Sequence, residues 1–131
     1  MKKAIQLLGV LLAILPALSF GQAKKTTWPE MKAFHTVMAG TFHPAEEGNF
    51  APLRERADEL FNAAKTWQKS PIADGFKQEE TAKALKELVV RCAAVKKGVE
   101  ANQDNDALLR LITEAHDGFH TIVGECRKSE E

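Results

Sequence analysis

The sequence has no excess of charge of either sign, no alternating strand pattern and, after its N-terminal segment, no further long apolar run. Its 18 basic and 18 acidic residues balance, so nothing indicates a protein that binds nucleic acid. Beyond the N-terminal segment, no stretch is apolar for long enough to cross a bilayer as a helix. Internal repeats and low-complexity tracts are also absent. The remaining patterns are those of one small all-α domain.

Residues 1–21, MKKAIQLLGVLLAILPALSFG, have the organisation of a secretory signal peptide. Two lysines precede an apolar run, and small residues follow at the positions that a signal peptidase prefers. We expect cleavage after Gly21, with Ala23 as the alternative, and a periplasmic or otherwise secreted domain comprising residues 22–131. Loss of the two lysines gives this domain a formal charge of −2. No cysteine lies near the boundary to carry a lipid, so we expect no membrane attachment after signal removal.

Four segments carry the spacing of an amphipathic helix. Thr27 is the expected cap of the first helix, with Pro29 in its first turn, and residues 43–49, HPAEEGN, are expected to end it. Asp104 or Asn105 is expected to cap the fourth helix. Short connections make sequential helices antiparallel, which predicts an all-α, up-down-up-down four-helix bundle. The four apolar faces are Trp28, Met31, His35, Met38 and Phe42; Phe50, Leu53, Ala57, Leu60, Phe61, Ala64 and Trp67; Leu85, Leu88, Val89, Cys92, Val95 and Val99; and Leu108, Ile112, Ala115, Phe119, Ile122 and Cys126.

All four histidines lie on the first and last predicted helices, at His35, His43, His116 and His120. In an up-and-down bundle these two helices are neighbours and antiparallel, so residues at equal height have a constant sum of residue numbers. One register pairs His35 with His120. The same register pairs Met38 with His116 and places Met31 within about one turn of His120.

This layer predicts a transition-metal site between the first and last helices. Histidines four residues apart share one helix face, so His116 and His120 can bind the same ion. We expect His35 as a third imidazole ligand, and Met38 or Met31 as soft ligands. Imidazole suits several metals and thioether selects Cu(I), so copper is expected ahead of zinc or nickel. The pair lacks the glutamate of the zinc-protease motif, so we expect ion buffering or delivery and no enzymatic activity.

Structural roles remain open for each of these residues. The two methionines fit a core stripe equally well. His35 lies in the middle of an apolar seam, where an unpaired ring is costly to bury, so it should be a ligand or a buried, hydrogen-bonded residue. His43, at the end of the first helix, fits a cap that interacts with the helix dipole. His116 and His120 lie at the edge of the apolar stripe, and an exposed polar role fits them as well as ligation does.

Cys92 and Cys126 are not expected to form a disulfide with each other. In the predicted topology they are about ten residues apart along the bundle, or roughly 15 Å, well beyond the Cα separation of about 7 Å that a disulfide tolerates. Cys92 fits a buried apolar position, with a thiolate ligand as the alternative. Cys126, near the end of the last helix, could instead link two molecules in a homodimer.

A signal peptide, a mature chain of this length, four antiparallel helices, a methionine in the first helix and Phe119-His120 in the last together resemble the periplasmic cytochrome c-prime superfamily and its haem-b relatives. The resemblance implies a non-covalent haem b with Met31 and His120 as ligands, and electron transfer. The chain departs from the covalent members because it has no Cys-x-x-Cys-His motif. The additional His35 and His116 favour a directly bound metal ion, so haem is the alternative and a cofactor-free interaction or stress protein the third hypothesis. The residues that would line or fill a haem slot are Trp28, Phe34, Phe42 and Phe119.

Overall fold

The structure, a computed structural model, describes residues 28–129, which form four α-helices. These are α1 (Pro29–Glu46), α2 (Ala51–Lys69), α3 (Gln78–Glu100) and α4 (Asn105–Glu125). Each helix packs against the next and α4 returns to α1, whereas the two diagonal pairs within residues 28–129 do not approach each other closely. The predicted all-α four-helix bundle is therefore confirmed. The predicted signal peptide, residues 1–21, lies outside the described residues.

No helix in the described part of the chain is long and apolar enough to cross a membrane. Each helix instead buries one stripe of its surface and exposes the rest. In α4, for example, the predicted face of Leu108, Ile112, Ala115, Phe119 and Ile122 is buried. This spacing of three and four residues is that of a helix with one side in the core.

α1 begins at Pro29, where a proline is favourable because the first turn leaves its backbone N–H groups without helical partners. Trp28 occupies the N-cap position and its side chain makes no cap; the predicted cap residue, Thr27, lies outside the described residues. The indole Nε1–H of Trp28 donates to Ser70 Oγ at 2.9 Å. A contact with the end of α2 therefore fixes the beginning of α1.

The predicted break within residues 43–49 is present, but Pro44 does not cause it. α1 continues through Pro44 to Glu46. The chain turns at Gly48, whose φ of 88° is the left-handed conformation that glycine adopts without steric penalty. The N–H of Asn49 donates to the carbonyl of Pro44 at 2.8 Å and closes the turn.

Asp104 caps α4, as one of the two alternatives predicted. Its carboxylate accepts a hydrogen bond of 2.8 Å from the backbone N–H three residues later. At the other end of α4, the chain pairs with the α2–α3 loop. The N–H of Lys77 donates to the carbonyl of Cys126 at 2.8 Å. The N–H of Lys128 donates to the carbonyl of Gly75 at the same distance, so the end of the described chain is tied to the bundle.

Five aromatic residues pack together in the interior and form what we call the aromatic cluster. Neighbouring ring centroids in the cluster are 5.1–6.0 Å apart. This is the separation at which aromatic rings attract each other in edge or offset geometries. All five are buried, so the large residues of the interior pack on one another. The members are Trp28, Phe34, Trp67, Phe76 and Phe119.

Both cysteines are free and buried, which confirms that they do not pair with each other. Cys126 is only 3% exposed. Its thiol is therefore not placed to link two molecules, contrary to the alternative considered from the sequence. Burial raises the pKa of the Cys92 thiol to about 12. In the metal-free protein the Cys92 thiol is therefore protonated at neutral pH, and its complete burial confirms the prediction of a buried apolar residue.

Candidate functional site

The interface of α1 and α4 is built from aromatic and imidazole rings. Phe34 of α1 contacts Phe119 of α4 with ring centroids 5.8 Å apart. His116 of α4 stacks on Phe42 of α1 at 3.9 Å, with an angle of 17° between the ring planes. Both contacts lie within about one helical turn of the predicted register, which pairs His35 with His120. The predicted register between the two helices is therefore correct to within one turn. Of the neighbouring helices, α1 and α4 are the pair that packs least closely.

His116 and His120 face each other across one turn of α4. Their Nε2 atoms form a hydrogen bond of 3.2 Å with each other, and their ring centroids are 4.4 Å apart at an angle of 77°. Two imidazole nitrogens bound to one tetrahedral metal ion, each 2.0–2.1 Å from it, would be separated by about 3.3 Å. The His116–His120 pair therefore has the nitrogen spacing of two ligands that share an ion. The sequence predicted this pairing.

Burial favours the neutral, metal-binding form of His116. The His116 ring is half-buried against Phe42, whereas His120 is exposed. Burial lowers the pKa of His116 below the ordinary histidine value of 6.5, and the positive charge of a protonated His120 lowers it further. Asp117 and Glu46 act in the opposite direction but more weakly. His116 is therefore a free base at neutral pH, as a metal ligand must be.

His35 is exposed, and the prediction that it lies buried in the apolar seam is wrong. The reason is a rotation of α1 by one residue: Phe34 takes the core position, because burial of its ring removes far more apolar surface from water. His35 stacks on Phe119 at 5.1 Å with the planes only 6° apart, and Phe119 also contacts His120 at 5.6 Å. His35 and His120 therefore lie on the same side of the bundle, although no short contact joins them.

The predicted soft ligands, Met38 and Met31, both take part in the packing of the core. Met38 is completely buried in the hydrophobic core, and Met31 is half-buried against it. Both side chains have the structural packing role that was the alternative interpretation. The sulfur of Met38 is enclosed, whereas the nitrogens of His116 and His120 meet at the surface.

The sequence predicts His43 as a helix cap outside the metal site. It does lie in the last turn of α1, but its ring is also 6.4 Å from that of His116 and 5.6 Å from that of Phe42. The ring nitrogen Nδ1 lies 3.3 Å from Glu46 Oε1. The predicted register places His43 little more than one turn from the level of His116. The sequence alone therefore contains a signal that His43 lies near the site.

Within residues 28–129, no group of three or more His, Cys, Asp or Glu side chains stands ready to hold a metal ion. The His116–His120 pair supplies two ligands, and a third has to come from the movement of a side chain. Comparison of the chain with protein-family models, with curated proteins and with solved structures gives no match. The assignment of a function therefore rests on the geometry of the residues themselves.

A haem between α1 and α4 would need space that side chains already fill. Met31 and His120 are its predicted ligands, and the aromatic cluster packs between α1 and α4 at their level through Phe34 and Phe119. His120 is exposed and engaged with His116. A macrocycle would fit between these helices only if the aromatic cluster opened. The residues in their present positions do not fit a bound haem.

Proposed function

We propose that this chain is an exported, non-enzymatic four-helix-bundle protein that binds a transition-metal ion at the surface between α1 and α4, for buffering or delivery of the ion. His116 and His120 are the ligands at the centre of the proposal. The observation that carries it is the 3.2 Å separation of their Nε2 atoms, which matches the separation of about 3.3 Å expected for two nitrogens on one tetrahedral ion.

The available donors favour divalent ions. Neutral imidazole suits Cu(II), Zn(II) and Ni(II), whereas the thioethers that would select Cu(I) are packed into or against the core. Among divalent ions of the first transition row, copper binds most tightly to a given nitrogen site. We therefore propose copper as the ion, bound as Cu(II), with zinc or nickel as weaker occupants. Cu(II) prefers a tetragonal geometry, in which adjacent nitrogens are about 2.9 Å apart, so the two rings would close by a few tenths of an ångström from their present 3.2 Å.

Exposure of the site supports a role in buffering or delivery. His120 is exposed and His116 only half-buried, so an ion held there keeps open coordination positions toward solvent. Structural metal sites are closed, with all positions filled by protein. An open site lets a second ligand approach the ion before the first has left, which is what transfer to an acceptor requires.

The proposal is tested by titration of the purified, metal-free protein with Cu(II), Zn(II), Ni(II), Cu(I) and haem in separate experiments. We expect one Cu(II) per chain with a dissociation constant below micromolar, and at least a tenfold loss of affinity in both His116→Ala and His120→Ala. Arg110→Gln, an exposed position on α4 away from the pair, is the matched control and should bind as the wild type does.

Two outcomes would contradict the proposal. Binding of no ion below micromolar concentration would favour the cofactor-free interaction or stress protein. A Soret band on haem addition that is lost in His120→Ala would favour the haem-b electron carrier.

A further inference from the structure

We infer that His43 of α1, oriented by Glu46, supplies the third ligand, so that the bound ion joins the last turn of α1 to α4. This inference rests on the proposed binding of a metal ion at His116 and His120. It replaces His35, which the sequence predicts as the third imidazole, and it adds a carboxylate that neither the sequence patterns nor the comparisons assign to a site.

The hydrogen bond between His43 and Glu46 prepares the ring for ligation. The ring nitrogen Nδ1 of His43 lies 3.3 Å from Glu46 Oε1. In a neutral ring, this hydrogen bond to a carboxylate places the proton on Nδ1 and leaves the lone pair on Nε2. Metal-bound histidines usually donate their second ring N–H to a carboxylate or a carbonyl in this way. His116 and His120 also meet through Nε2, in a hydrogen bond that needs a proton on one of the two atoms. Transfer of that proton to Nδ1 of the same ring would let all three rings present Nε2 to the ion.

The distance that His43 must cover is small. The ring centroids of two imidazoles that share a tetrahedral ion are about 5 Å apart, given metal–nitrogen distances of 2.0–2.1 Å. The His116 and His120 centroids are 4.4 Å apart, and the His43 and His116 centroids 6.4 Å. The side chain of His43 is 63% exposed, so a rotation about its side-chain bonds can close the gap without disturbing the core.

The direction of the side chains selects His43 over His35. Side chains on a helix lean toward the N-terminus of their own helix. Because α1 and α4 are antiparallel, His116 and His120 lean toward the C-terminal end of α1. His43 leans back toward them, whereas His35 leans toward the opposite end of the bundle. His35 would also have to give up its nearly parallel stacking on Phe119.

The test compares His43→Ala with His35→Ala in Cu(II) titrations, with thermal unfolding of the metal-free variants as the folding control. Both histidines are exposed, so both variants should fold as the wild type does. We expect affinity to fall at least tenfold in His43→Ala and to stay within twofold in His35→Ala. Glu46→Gln should weaken binding about tenfold or more, as loss of a carboxylate behind a metal-bound histidine typically does. Nitrogen hyperfine structure in the Cu(II) paramagnetic resonance spectrum should report one nitrogen ligand fewer in His43→Ala.

The outcomes separate this inference from the proposed function. If the wild type binds Cu(II) through His116 and His120 but His43→Ala binds equally well, the third-ligand assignment is wrong and the proposed function stands. A loss in His35→Ala with no loss in His43→Ala would return the third position to His35. If the wild type binds no metal, the proposed function fails first, and the inference fails with it. Should His43→Ala not fold, His43→Gln keeps a polar side chain of similar size and answers the same question.

Discussion

Replacement of Phe119 by alanine tests whether the aromatic cluster fills the interior or lines a slot. Phe119 is 7% exposed, and its ring lies within 6.0 Å of the rings of Phe34, His35, Trp67 and His120. Truncation of a packed phenylalanine costs about 3–5 kcal/mol, because transfer energy is lost and a cavity is left. For a domain of this size, whose unfolding free energy is typically about 5–15 kcal/mol, that is a large fraction.

The assay is urea unfolding of the metal-free protein, followed by far-ultraviolet circular dichroism. The matched control is Val90→Ala, an exposed apolar position at 63%, which should change the unfolding free energy by only about 0.5 kcal/mol or less. A loss below about 1 kcal/mol in Phe119→Ala would refute the reasoning. It would mean that the Phe119 ring lines a space with few packed neighbours. Such a space between α1 and α4 could hold a haem, and the haem alternative would be favoured.

Three further results are expected. Asp104→Ala should lower the unfolding free energy by about 1 kcal/mol, measured by urea unfolding, because it removes the side-chain cap of α4; no change would mean that the cap is replaced by water. Cys92 should resist alkylation in the native protein and react after unfolding, since burial raises its pKa to about 12; rapid native labelling followed by mass spectrometry would contradict this. Cu(II) affinity, measured by titration at several pH values, should fall as the solution is acidified, because protons compete with the ion for the imidazole ligands; an affinity independent of pH would contradict imidazole ligation. The stability of the metal-free protein should also fall on acidification, because the unfolded state takes up the proton on His116 at higher pH than the folded state does.

The arrangement of helices follows directly from the sequence, because periodic apolar spacing and short loops leave few alternatives. The register between α1 and α4 also follows from the sequence. The ring contacts of Phe34 with Phe119 and of Phe42 with His116 agree with it to within one turn. The rotation of α1 about its own axis does not follow from the sequence. Two adjacent stripes have helical spacing, and periodicity alone does not choose between them. The stripe that contains Phe34 is the one buried, because its large ring removes more apolar surface from water than the His35 ring would. His35 is then left exposed to solvent.

The composition of the candidate site was only partly predictable. Spacing on one helix is enough to bring His116 to His120, because residues four apart are always neighbours. The third position depends on side-chain direction across two helices, and spacing within one helix does not contain that information. The sequence predicts a cap at His43 because Pro44 follows it, but α1 continues past this proline and its last turn reaches the level of His116.

The central claim is that His116 and His120 share one metal ion. Nuclear magnetic resonance of the histidine rings during addition of Zn(II), a diamagnetic substitute for Cu(II), observes the ligands themselves. We predict that the ring signals of His116 and His120 shift together and reach their final positions at one Zn(II) per chain. Unchanged signals for both residues, or a shift of His35 without them, would contradict the claim.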